Sequence, residues 1–167
     1  MTPASALALS ARDRAQVAEV HLLASQGALG VGALILQLSD ASWAVRREVS
    51  AALAQLGEAA VPALCATLLG QRDHEARIAA AVEALVASTG SPDAAVMALA
   101  GSPNPAVICD AAQILGRRRS TGALTLLASL VDHADDNVVV SVIEALGCIG
   151  GEVSVGLLIR ALSADAF

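Results

Sequence analysis

Apolar residues recur along this chain in two rhythms, a short one of three and four residues and a long one of about thirty. The short rhythm is helical. Trp43, Val49, Leu53 and Leu56 are read at the spacing that lines one face of a helix. The long rhythm appears when Leu22, Leu53, Leu85, Leu115 and Leu146 are superposed, at intervals of 31, 32, 30 and 31 residues. Similar text surrounds these leucines: Val49-Ser50-Ala51-Ala52-Leu53, Val82-Glu83-Ala84-Leu85, Ala111-Ala112-Gln113-Ile114-Leu115-Gly116 and Val142-Ile143-Glu144-Ala145-Leu146-Gly147. A fixed period of this length predicts a solenoid, in which each unit buries its apolar face only by stacking on its neighbours.

Each unit reads as helix, short turn, helix. In the second unit, Asp40 and Ser42 offer N-cap oxygens, a helix is expected from Trp43 to Leu56, Gly57 allows the left-handed turn, and Glu58 to Leu69 follows. Pro62 falls in the first turns of that helix, where a missing amide donor costs least. The third unit is expected at Asp73–Ser88 and Asp93–Ala100, broken by Thr89-Gly90-Ser91-Pro92. Asn104 caps the fourth pair with Pro105 as its first residue; helices are expected to about Arg117 and from Thr121 to Val131. The fifth pair spans Asn137–Ile149 and Glu152–Leu162, and the repeat overrides the strand preference of Val138-Val139-Val140. The first unit, Ala11–Gln26 and Ala28–Leu38, is the least regular. The expected organisation is a tail at 1–10 and one domain at 11–167, with units at about 11–39, 40–71, 72–102, 103–133 and 134–163.

Composition supports an all-helical core of small side chains. Apolar residues make up 56 % and aromatics 1 %, against roughly 45–50 % apolar in ordinary domains. A formal net charge of −6 argues against general nucleic-acid or anionic-membrane binding. The longest mostly apolar run, Gly27 to Leu38, is too short to span a bilayer, and no secretory signal is read at the N-terminus. Cys65, Cys109 and Cys148, in different repeats at different offsets, read as reduced, buried thiols of a cytoplasmic protein.

Paired helices, a period near 31, an Asp or Asn opening the unit, Val45-Arg46 in a first helix and Ala145-Leu146-Gly147 at a first-helix end together resemble the HEAT-repeat superfamily. The nearest likeness is to its short bacterial variety, the phycobilisome-lyase-like (PBS lyase) HEAT repeats, over about residues 11–163. The resemblance implies an all-α, right-handed α-α superhelix (α-solenoid) of about five HEAT-like helix pairs, with second helices lining a concave face. Counted ten residues past each leucine, that face presents Ala63, Ala95, Thr125 and Gly156; fourteen past, it presents Thr67, Leu99, Ser129 and Arg160. It is expected to be smooth and mostly uncharged, suited to a helix or extended peptide. The family's Arg ladder between units is expected to be largely absent, since Arg46 is matched by Ile78, Ile108 and Val139.

Reactive constellations are not found. His21, His74 and His133 lack the spacing of paired metal ligands on a helix. His74-Glu75 matches one of the several His-Glu pairs of the di-iron hydroxylase within the HEAT superfamily, but stands alone. Gly147-Cys148-Ile149-Gly150-Gly151 is a helix junction, not a phosphate loop. Asp132, Asp135 and Asp136 read as capping and solubility. Arg117-Arg118-Arg119 reads first as a turn that satisfies a helix C-terminus and otherwise as a contact for an acidic partner. Trp43 is expected at the seam between the first two units.

The expected function is a non-catalytic protein-protein interaction module or assembly scaffold, without cofactor or metal, that binds a partner protein along its concave face. The alternative is a HEAT-type subunit of a chromophore (bilin) lyase or another enzyme-accessory subunit. The last pair ends without an evident polar cap, so either the array continues in a longer protein or its apolar face meets another chain, as in a homodimer.

Overall fold

The structure is a computed structural model that describes residues 10–40, 42–70 and 72–164. The tail expected at 1–10, except Ser10, and the last three residues of the domain expected at 11–167 lie outside the described residues, as do the side chains of 160–164. Helices are α1 (Ala11–Ser25), α2 (Val31–Gln37), α3 (Trp43–Gln55), α4 (Val61–Leu69), α5 (Glu75–Val86), α6 (Asp93–Leu99), α7 (Pro105–Arg117), α8 (Leu124–Ser129), α9 (Asp136–Ile149) and α10 (Gly151–Ala164). No strand occurs among the described residues. The fold is all-α, a stack of helix pairs of the HEAT-like kind.

Local chemistry sets the helix starts. Asn104 Oδ1 accepts from the amide of Ala106 at 3.0 Å with Pro105 opening α7, and Asp135 Oδ1 accepts from Asn137 at 2.9 Å ahead of α9. These bonds satisfy amides that have no intrahelical partner. At α3 the cap works differently. Asp40 Oδ1 accepts from the amide of Ser42 at 2.7 Å, while the Ser42 hydroxyl makes no capping bond. The three valines at 138–140 lie inside α9, as the repeat requires.

The odd-numbered helices α1, α3, α5, α7 and α9 pack each against the next, and the even-numbered helices form a second layer. Leu53, Leu85, Leu115 and Leu146 line up as fully or almost fully buried anchors, joined by Leu34, Leu64, Val96 and Leu127 from the second layer. Leu22 breaks this row: it is 62 % exposed. Gly27 and Gly57 both have positive φ, 61° and 54°, and both open a 3-10 turn. Aligning those turns makes Leu23 the counterpart of Leu53, and Leu23 does pack on the core. The first interval is therefore one residue shorter than the sequence comparison gave.

The most intimate seam is between α7 and α9. A Cβ placed on Gly116 would lie 2.6 Å from Ala145 Cα, so only glycine admits this approach.

Polar bonds between units replace the Arg ladder at the turns instead of within the helices. The Thr89 amide donates to Ala54 O at 3.0 Å, and the Ser91 amide to Glu58 Oε1 at 2.5 Å. Arg118 spans from the fourth unit back to the third, where Nε donates to Asp93 Oδ1 at 2.9 Å. Its two Nη groups donate to the carbonyls of Leu85, Val86, Ser88 and Gly90. The bonds that join units thus come from residues that do not recur at one repeat position, and not from a ladder at the Arg46 position. Arg46 stays local, with Nη1 donating to Asp40 O.

Two further expectations are corrected. Trp43 is not packed at a seam but 65 % exposed, because the buried stripe of α3 runs through Val45, Val49 and Leu53 and leaves position 43 outside it. Of the cysteines, all free, Cys65 is buried, Cys109 half-buried and Cys148 exposed. Burial pushes the Cys65 thiol up from its ordinary pKa. No single described helix is long and apolar enough to cross a membrane.

Candidate partner-binding surface

The second layer carries an apolar surface at α2 and α4. Gly32 and Ile35 of α2, with Ala63, Ala66, Thr67 and Gly70 at α4, line a shallow groove of about 370 Å³ with Arg77 at its rim. Leu29 and Leu36 lie three residues before and four after Gly32, on the same helical stripe. They are 89 % and 79 % exposed, and Leu69, next to Gly70, is 57 % exposed. Three large apolar side chains thus lie in water in the two helices whose small residues floor the groove and in the turn before α2.

The residues expected on this face divide into several groups. Ala63 and Thr67 line the groove, although Thr67 is mostly buried and its hydroxyl donates to Ala63 O at 2.9 Å. Leu99 is a core residue, which removes it from any binding face. Ala95 is half-buried against the core. Thr125, Ser129 and Gly156 are exposed, and the Ser129 hydroxyl is turned back to Leu126 O at 2.7 Å. Arg160 belongs to α10, its side chain outside the described residues. One continuous row through all four units is therefore not formed. At fourteen residues past the leucines Thr67 and Leu99 are both buried while Ser129 is exposed, so that offset does not mark one outward face.

The arginine triplet is also redistributed. Arg117 makes a two-pronged pair with Glu83 at 2.6 and 2.9 Å, and Arg118 is committed to Asp93 and the turn carbonyls. Hydrogen bonding to Arg117 holds the Glu83 carboxyl below its usual range. For Asp93, burial alone would raise the pKa; the Ser120 hydroxyl and Arg118 guanidinium beside it outweigh that and lower it. Arg117 and Arg118 are thus withdrawn from partner contact, and Arg119, at φ 54°, remains exposed at the turn. At Asp110 burial prevails over the Arg72 guanidinium 2.8 Å away and raises the pKa. Among the described residues, no three His, Cys, Asp or Glu side chains form a potential metal set.

Helix pairs of this length, joined at turns and stacked in two layers, have a counterpart among known families. Residues 92–167 match the family model for HEAT repeats. No curated protein matches the chain. The HEAT match begins at Pro92 and takes in α6 to α10. The α2–α4 groove lies in the less regular HEAT-like units before it.

Gly32 and Leu36 stand ten and fourteen residues past Leu22 but were missed because the count began at Leu53; Leu29, Ile35, Ala66, Leu69 and Gly70 fall at other offsets from their leucines. Another signal was present. Leu34-Ile35-Leu36 is apolar all round a helix whose buried stripe needs only Val31, Leu34 and Leu38.

Proposed function

We propose that this chain is a non-catalytic protein-binding module and that the α2–α4 face carries the partner, in the manner of an amphipathic helix laid into a shallow groove. The observation that carries this is a groove floored by Gly32, Ala63, Ala66 and Gly70, with exposed Leu36 one helical turn past Gly32 and exposed Leu69 three residues past Ala66. Small residues let a backbone come close while the leucines bury apolar area, worth about 25 cal/mol per Å² removed from water. HEAT repeats generally serve protein-protein interaction, which agrees with this reading. Three free cysteines support a reducing, cytoplasmic setting.

Leu36→Glu and Leu69→Glu test the surface. Crosslinking in lysate should trap a defined protein on the natural chain and lose it with either variant, while circular dichroism stays unchanged. Capture that survives both substitutions, or no capture at all, overturns the proposal. The bilin-lyase alternative rests on the repeat resemblance; an unchanged spectrum on mixing protein and bilin eliminates it. Self-association through the last pair is a separate proposal, supported by exposed Val140, Val153 and Val155. Sedimentation showing a strict monomer across a concentration series rejects it.

A further inference from the structure

Gly32 lies inside α2 with no internal reason to be glycine. Its φ is not positive, and a Cβ placed on it would meet nothing within 4 Å. Gly30, two residues earlier, is different, since a Cβ there would strike the Leu23 carbonyl. Glycine weakens a helix relative to alanine, so a glycine that neither the backbone nor the packing of this chain requires leaves room for a backbone from outside.

The same face carries both projections and hollows. Leu29 and Leu36 are exposed and stand seven residues apart, at the start and near the end of α2, while the small residues Ala63 and Gly70 stand seven apart in α4 and at its end. Seven residues are about two helical turns, ~10.5 Å, so the two spacings match. The face is also uncharged. No Asp, Glu, Lys, Arg or His occurs from Gln26 to Ser39 or from Ala59 to Gly70, in a chain with 10 basic and 16 acidic residues. Among the described residues lining the groove, Arg77 at the rim alone is charged. Two copies of a chain at net charge −6 repel each other over most of their surface, but meeting at this face they bring no like charges together.

We propose that the α2–α4 groove is filled by a second copy of this chain, in a two-fold dimer that seats Leu29 and Leu36 of each copy on the small-residue floor of the other. This inference rests on the reading of α2–α4 as the partner surface and names its partner. A two-fold contact pairs one patch with itself, so that patch must carry both halves of the fit. Second helices of successive units run the same way in a repeat array, so a two-fold axis through the groove lays α2 of one copy antiparallel along α4 of the other. Leu29 of one copy then faces Gly70 of the other, and Leu36 faces Ala63. Roughly ten outward residues a side, against the roughly 20–30 of a standard interface, make the dimer weak and dependent on concentration.

Sedimentation of the purified full chain over a concentration series should show a monomer–dimer equilibrium. Gly32→Leu fills the floor from a position that meets no internal atom, and Leu36→Glu buries a charge against the other copy. Each should weaken the dimer about tenfold or more while circular dichroism stays unchanged. The dimer should persist in Val153→Glu, which charges the exposed face of the last pair. A strict monomer at every concentration, a dimer indifferent to both groove variants, or a dimer abolished by Val153→Glu would each overturn the inference. A strict monomer whose capture in lysate is still lost with Leu36→Glu overturns the second copy alone and leaves the surface reading standing; a monomer with no Leu36-dependent capture overturns both.

Discussion

Arg118 uses all three of its side-chain nitrogens on a neighbouring unit. Four carbonyls at the end of α5 and in the following turn accept from it, and Asp93 closes the cluster. Carbonyls at a helix end have no intrahelical donor, so removing the guanidinium strands them. Arg118→Ala is expected to cost about 2–3 kcal/mol in urea unfolding, with Arg118→Lys recovering less than half because an ammonium cannot span so wide a fork. The same cluster fixes a pH dependence. The folded pKa of Asp93 lies below its unfolded value, so the stabilisation is present above the unfolded pKa and is lost as pH falls through the folded one. Asp110, raised by burial, has the opposite sign: its charged form costs stability, and acid relieves the cost. The stability difference between natural chain and Arg118→Ala should therefore shrink below about pH 4, and a difference that stays constant into acid would refute the assignment.

Elements that look alike in sequence meet different surroundings. Gly116 and Gly147 occupy the same position after the leucine anchors of α7 and α9. At Gly116 a Cβ would strike Ala145, whereas at Gly147 nothing lies within 4 Å. Gly116→Ala is expected to destabilise by about 1–3 kcal/mol through overpacking. Gly147→Ala should instead stabilise by about 0.5–1 kcal/mol through helix propensity. Equal effects in thermal melts would contradict this pairing of helices. The contrast also shows what periodicity reveals. Helix ends, the Asn104 cap, the Gly57 turn and the leucine row follow from local chemistry and were readable. The roles of Arg117 and Arg118 were not, because their partners lie 34 and 25 residues back, in another unit. Trp43 and Leu22 were misplaced for a related reason: a one-residue shift around a helix moves a side chain by about 100° and exchanges core for solvent.

Across the whole molecule, stability is a sum of unit and neighbour terms, since each first-layer helix packs on its neighbours in the row and on nearby second-layer helices. The proposed α2–α4 surface lies near one end of that row, away from the α7–α9 seam near the other. Damage at that seam should therefore stay local. Gly116→Leu places a branched side chain where even a methyl group finds Ala145 at under 3 Å, forcing α9 away from α7. Native-state hydrogen exchange should then show α9 and α10 losing protection while α3 to α5 keep theirs, and the Trp43 emission of the folded chain should be unaltered. Gly147→Leu, which meets open space, should leave every helix protected as before. If Gly116→Leu instead unfolded all helices in one step, the chain would behave as a single cooperative globule and not as a sum of units.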